Sequence, residues 1–116
     1  TWNGGQYLWI TTSTGLGTGN QNTINIVNSH SSGTFAAKLC FNLILNGYDD
    51  WYLPSKDELN KLYINRVAIG NFGSSSIYWS SSAFSNNYTW IQGFSSGVQN
   101  YLDAGSSFSV RAVRAF

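Results

Sequence analysis

The run LPSKDELNKLYINR at residues 53–66 constrains the fold of this chain more than any other stretch. Ser55 is followed three residues later by Glu58, which is a capping box. In such a box the serine side chain accepts from the third helical amide, and the glutamate reaches back to the cap amide. Lys56-Asp57-Glu58 makes a good first turn, since carboxylates suit the positive end of the helix dipole. Pro54 fixes the approach. Leu59, Leu62, Tyr63 and Arg66 follow at helical spacing, so a helix is predicted that ends near Val67, before Gly70.

Beyond Gly70 the period changes. IYWSS, YTWIQGF, GVQNYL and FSVRAVRAF read as strands between Ser, Asn and Gly clusters. Trp90, Gln92 and Phe94 fall on one side of their segment. Phe108, Val110 and Ala112 alternate with Ser109, Arg111 and Val113. Upstream, GTFAAKLCFNLILNG predicts a second helix, with Thr34 as N-cap and Gly47 as stop. Ala36, Leu39, Cys40, Leu43 and Ile44 share its apolar face. QYLWI at 6–10 reads as a first strand that pairs with the last, residues 11–22 as a loop, and Thr23 to His30 as a short helix or a turn. Two helices and a run of short antiparallel strands make an α+β layout. The 116 residues fit one domain, 1–116, with a real core. A start at Thr1-Trp2-Asn3 reads as that of a module within a longer protein.

Charge excludes several function classes. Charged residues are 9% of the chain, against roughly 25% in an average globular protein. The net charge of +1 argues against a nucleic-acid partner, which calls for a basic patch. There is no apolar run long enough for membrane insertion. Cys40 is the one cysteine and His30 the one histidine, so neither a disulfide, a cysteine-rich zinc site nor a Cys–His dyad can be built. The single cysteine reads as a small buried hydrophobe and the histidine as a solvated loop residue. Asp49 and Asp50 read as turn residues rather than calcium ligands; no acidic loop of the calcium-binding type is present. TGLGTGN at 14–20 lacks the lysine of a phosphate loop. Asp57 and Glu58 are used by the helix start, which leaves no clear pair of carboxylates for glycoside hydrolysis. No nucleophile-elbow pattern is present. The expectation is a non-enzymatic domain with no cofactor and no metal.

What remains is a binding surface. Residues 83–108 are rich in aromatic, Ser, Asn and Gly residues, and from Ala83 to Ser109 there is no Met, Lys, Glu, Arg or His. Tyrosine and tryptophan bury large areas with two torsions, while Ser, Gly and Asn adapt their hydrogen bonds, as in antibody paratopes. Either a protein or a glycan receptor is compatible. Tyr78, Trp79, Trp90 and Phe94 are assigned to the core. Phe84, Tyr88, Tyr101 and Phe108 stand between core and surface.

Three blocks, GYDDWYLPSKDEL at 47–59, YWSSS at 78–82 and VRAVRAF at 110–116, resemble the C-terminal domain family of collagen-like bacterial adhesins, the Lcl C-terminal domain. The resemblance implies a C-type-lectin-like fold, two helices packed on short antiparallel strands, with a loop-rich ligand face. It implies display on a cell surface or virion, and a homotrimer where a collagen stalk holds three chains. Adhesin relatives bind sulfated glycosaminoglycans, which the low charge here disfavours; Arg111 and Arg114 are expected in structural pairs with Asp50 or Asp57. The lectin motifs Glu-Pro-Asn and Gln-Pro-Asp, and the cysteines of formylglycine-type enzymes, are absent. Some members are targets of diversity-generating retroelements, which rewrite AAY codons at their adenines. Phe84, Asn86, Tyr88, Ile91, Gly93, Ser96, Val98, Leu102, Asp103, Gly105, Ser106 and Phe108 are all reachable from such codons. With the exception of Gly105 they are the expected ligand-binding set, with Phe84, Tyr88, Ile91, Leu102 and Phe108 exposed. The alternatives are an adhesin tip with a fixed carbohydrate site and a trimerisation cap whose aromatics lie between subunits.

Overall fold

The capping box forms as its sequence predicts. Glu58 N donates to Ser55 Oγ at 3.3 Å, and Ser55 N donates to Glu58 Oε1 at 2.8 Å. It starts α3 (Lys56–Ile64), which passes through Asn65 into the single turn of α4 (Arg66–Ile69), closed by Gly70 at φ 77°. The computed structural model describes residues 1–2, 10–29, 35–73, 75–85 and 88–114. Within these, α1 (Gly19–Ser29) and α2 (Ala36–Phe41) come first, and β1 (Ile77–Ala83), β2 (Tyr88–Gly93) and β3 (Gln99–Asp103) follow the other two helices. The α+β layout stands, with four helices among the described residues rather than two. The expected first strand at 6–10 lies outside the described residues except for Ile10, which is buried. So do Thr34, His30 and Asn86.

Helix α1 begins inside the stretch expected to be a loop. Its inward face is polar: Asn22 and Thr23 are buried with Ile26. Asn22 accepts from Ser13 N at 2.8 Å and donates to Ser13 O at 2.7 Å and Ser81 Oγ at 3.1 Å. Thr23 Oγ1 accepts from Leu53 N at 2.9 Å and donates to Gly19 O at 2.8 Å. Apolar periodicity cannot reveal a helix whose buried face is built this way. The Glu58 carboxylate also accepts from Gly17 N at 3.2 Å and Gly19 N at 3.0 Å. A Cβ at Gly19 would meet Glu58 Oε1 and lie 2.8 Å from Leu53 O, so this close approach requires glycine.

Helix α2 is shorter than expected and stops at Phe41. Leu45 and Tyr48 exchange backbone hydrogen bonds, both 3.0 Å, around Asn46 at φ 55° and Gly47 at φ 81°. Two positive φ angles on Asn-Gly mark a type I′ turn. Gly47 therefore serves a tight hairpin and not a helix stop. Ala36, Ala37 and Cys40 are buried, but Leu39 and Ile44 are 52% and 74% exposed, against the expected apolar face.

The sheet has order β1-β2-β3, both pairs antiparallel, with Trp79 opposite Ile91 and Trp90 opposite Tyr101. Successive side chains point to opposite faces. One face sends Trp79 and Ile91 into the larger core with Ile26, Phe35, Cys40 and Leu53. The other sends Tyr78 against Leu59 of α3 and Phe94, with Leu62, Tyr63 and Phe72 around them. FSVRAVRAF forms no strand in its described part; it touches the rest through single bridges, Tyr78 to Ser109 and Tyr52 to Val113. Ser109 and Pro54, which accepts from Ser81 N at 2.7 Å, cover the outer side of β1. Among the described residues no strand pairs with the outer side of β3. Gly93 N donates to Val98 O, which sets the ladder phase so that the Tyr101 amide points to that outer side. There it donates to Asn100 Oδ1 at 2.8 Å.

Cys40 is the small buried hydrophobe expected. Burial pushes its thiol pKa up to about 12, so it stays protonated and unreactive at neutral pH. Glu58→Ala removes the acceptor of three backbone amides and should destabilise the domain by roughly 2–6 kcal/mol, since the partly buried Ser55 and Gly19 donors cost about 1–3 kcal/mol each when stranded while the exposed Gly17 amide can turn to water. Urea unfolding of the variant checks this; a change below about 0.5 kcal/mol, the scatter of ordinary surface substitutions, would contradict the role given to the carboxylate.

An aromatic face at the open end of the sheet

Helix α3 covers only part of the sheet. Gln92 is fully buried beneath it and donates to Asn60 Oδ1 at 2.9 Å; Gln99 donates to Lys56 O at 2.8 Å. Lys56 is the first residue of the helix. Past that point the same sheet face continues with Tyr88 and Trp90 on β2 and Tyr101 on β3. Phe84, whose amide donates to Tyr88 O at 2.9 Å, joins them from the end of β1.

These four rings pack on each other. Phe84 and Tyr101 stack in parallel, with centroids 3.9 Å apart and planes 5° apart. Trp90 meets both edge-on at 5.7 and 5.5 Å, and Tyr88 meets Tyr101 at 6.0 Å. Lys56 Nζ lies 4.6 Å from the Trp90 centroid, an attraction of about 0.5–1 kcal/mol at an exposed position. Phe84, Tyr88 and Tyr101 are 47%, 44% and 40% exposed, and Trp90 is half-buried. The face thus offers ring surfaces, two phenol hydroxyls and one ammonium group, with the Asp103 carboxylate exposed at its margin. Such a surface buries area on contact and supplies few, directional polar groups. Cavities of about 360–440 Å³ open elsewhere on the molecule.

The expected binding residues scatter. Phe84 and Tyr88 are in the ring cluster. Asp103 lies opposite Tyr88 and accepts from Gly105 N at 2.7 Å in the turn after β3. Leu102 is exposed on the opposite sheet face, and Ser96 and Val98 are exposed at the β2–β3 connection. Gly93, Gly105 and Ser106 are half-buried. Two expectations need correction. Ile91 is core, 5% exposed, because it faces Trp79 and not solvent. Phe108 is half-buried, edge-on to Trp79 at 4.9 Å. Trp90, assigned to the core, belongs to the surface cluster instead. The ring cluster also contains Trp90 and Tyr101, with Lys56 beside it, none of them in the expected set. The period-two pattern placed Trp90 opposite in sense to Ile91, but only the start of α3 decides which part of a face is covered.

Asp50 and Arg114 form the expected structural pair. Arg114 Nε and Nη2 donate to the two carboxylate oxygens at 2.8 and 3.0 Å, and the guanidinium lies 3.6 Å over the Tyr48 ring. The hydrogen bonds from Arg114 hold Asp50 below its usual pKa. Among the described residues no group of three metal-ligating side chains comes together, and no helix is long and apolar enough to cross a membrane.

The assignment of faces is testable by stability alone. Ile91→Ala should cost about 2–5 kcal/mol as a buried truncation, and Tyr88→Ala about 0.5 kcal/mol or less as a surface change. Denaturant midpoints of the two variants give the comparison; equal losses would invert the reading of β2.

Residues 3–114, nearly the whole chain, match the family model of the Lcl C-terminal domain. No curated protein matches the chain.

Proposed function

The chain belongs to the Lcl C-terminal domain family, and from that premise we propose that it is a non-enzymatic receptor-binding module of an adhesin-like surface protein. Its contact face is the cluster of Phe84, Tyr88, Trp90 and Tyr101 with Lys56. The observation that carries this reading is the exposure of three of those rings at the end of the sheet that α3 leaves open. Contiguous exposed aromatic surface on a domain of this size marks a contact site. Aromatic side chains with few charges fit either a glycan, whose C–H faces stack on rings, or a protein receptor. The neutral balance disfavours a polyanion.

The finer parts of the reading follow. The fold is C-type-lectin-like, with the cluster on its ligand face, and the module is displayed on a cell or virion. If a retroelement diversifies the chain, the useful variable positions are the exposed ones, Phe84, Tyr88, Val98 and Leu102 among them, and Ile91 is constrained by packing. A second reading, the trimerisation cap, draws support from a different surface. Leu39, Phe41, Ile44 and Leu45 are 47–74% exposed around the end of α2.

One experiment separates the two. The purified domain is run on a glycan array beside a Tyr88→Ala/Tyr101→Ala double variant, with the mass of both determined by light scattering. A glycan bound by the domain and lost in the variant, at unchanged mass, is the expected result. A trimer that binds nothing and falls apart in Ile44→Asp would replace the receptor reading with the cap.

A further inference from the structure

The family motif VRAVR places two arginines three residues apart, and the structure treats them differently. Arg114 is neutralised by Asp50, the only ion pair among the described residues. Arg111 is held without being neutralised. Its Nη1 donates to Asn71 O at 3.1 Å and its guanidinium lies 4.3 Å over the Phe72 ring. Asn71 has a left-handed backbone, φ 63°, next to Gly70 at φ 77°. The loop between α4 and β1 is folded so that its carbonyl meets the arginine. Both contacts fix the guanidinium plane and leave its remaining donors without a carboxylate among the described residues.

Arg111 borders a cavity of about 440 Å³. The rest of the wall is the apolar set Trp51, Leu62, Ile69, Phe72, Ala112 and Val113 together with Arg114, whose charge is paired with Asp50. Trp51 has its own polar atom satisfied, since Nε1 donates to Tyr48 O at 3.1 Å, and it offers the cavity carbon surface. The volume is within the range of small-ligand sites, roughly 300–1,000 Å³, and a largely apolar wall with a few oriented polar groups fits the same pattern. The site lies apart from the aromatic face: its lining shares no residue with Phe84, Tyr88, Trp90, Tyr101 or Lys56.

We propose that this cavity binds a small monocarboxylate with an aromatic or branched apolar body. The guanidinium fork matches a carboxylate in geometry and charge. One unpaired cation suits one negative charge, and the second cation of this wall, Arg114, is already paired with Asp50, which leaves little for a polyanion. The apolar surfaces of Trp51, Leu62 and Phe72 take the body of the ligand.

The test is a titration of the ¹⁵N-labelled domain with 3-phenylpropionate, and in parallel with 3-phenylpropionamide, followed by amide shifts. The acid should bind in roughly the millimolar range expected for a fragment of its size. Its shifts should cluster at residues 51, 62, 69, 72 and 111–113. The amide should bind at least about tenfold more weakly, the equivalent of one charge-assisted hydrogen bond. Arg111→Gln should lose the acid to the same degree and keep the response to the amide. The acid–amide comparison uses the unaltered domain, so it stands even if the variant fails to fold. No saturable shift with the acid, equal binding of acid and amide, or shifts confined to the aromatic face would each overturn the proposal.

Discussion

One carboxylate organises the first half of this domain. Glu58 accepts from Ser55, Gly17 and Gly19, three backbone amides drawn from two segments some 40 residues apart in the chain. Unpartnered amides at helix starts are costly once buried, and here the starts of α1 and α3 share one acceptor. The position of α3 follows from that. Since α3 begins at Lys56, it covers the sheet at Gln92 and leaves Trp90 and Tyr101 open, with the lysine laid over the indole. The proposed contact face is therefore defined by where a helix starts as much as by the aromatic residues on the strands.

Much of the secondary structure was legible because it rested on local chemistry. Ser55 and Glu58 bond to their own neighbours, and the alternation of β2 is written in consecutive residues. The misreadings have a shared cause. Asn22 looks like a loop residue and Thr23 like a turn residue because they are polar, yet they face inward and bond to Ser13 and Leu53. Leu43, Ile44 and Leu45 look like a continuing helix face because they are apolar, yet Asn46 and Gly47 turn the chain before another helical turn can form. Polarity misleads wherever buried groups are satisfied by distant backbone. The exposed ring cluster was half legible. Phe84 and Tyr88 were recognised by type, but Trp90 was assigned to the core, since a strand pattern separates two faces without saying how far a helix extends over either.

The scarce charges are used in a consistent way. All three arginines lie on aromatic rings: Arg66 on Tyr63, Arg111 on Phe72 and Arg114 on Tyr48, at 3.6 to 4.3 Å from the ring centres. Lys56 does the same on Trp90. A guanidinium is weakly hydrated and flat, so it can stack and still use its edges for hydrogen bonds. The arginines thus serve as covers for apolar surface, which lets a chain with 9% charged residues keep rings near solvent.

The Tyr101 amide, turned to the side of β3 where no described strand pairs and occupied by the side chain of Asn100, bears on how a sheet edge meets other chains. An open strand edge invites the edge of another molecule, and proteins commonly discourage this with lysines or proline. Residues 84–109 contain neither. Asn100 substitutes a neutral guard for a charged one: it fills the donor that an incoming strand would need. One residue thus shapes the backbone at the end of the sheet and closes one of its donors to strand pairing.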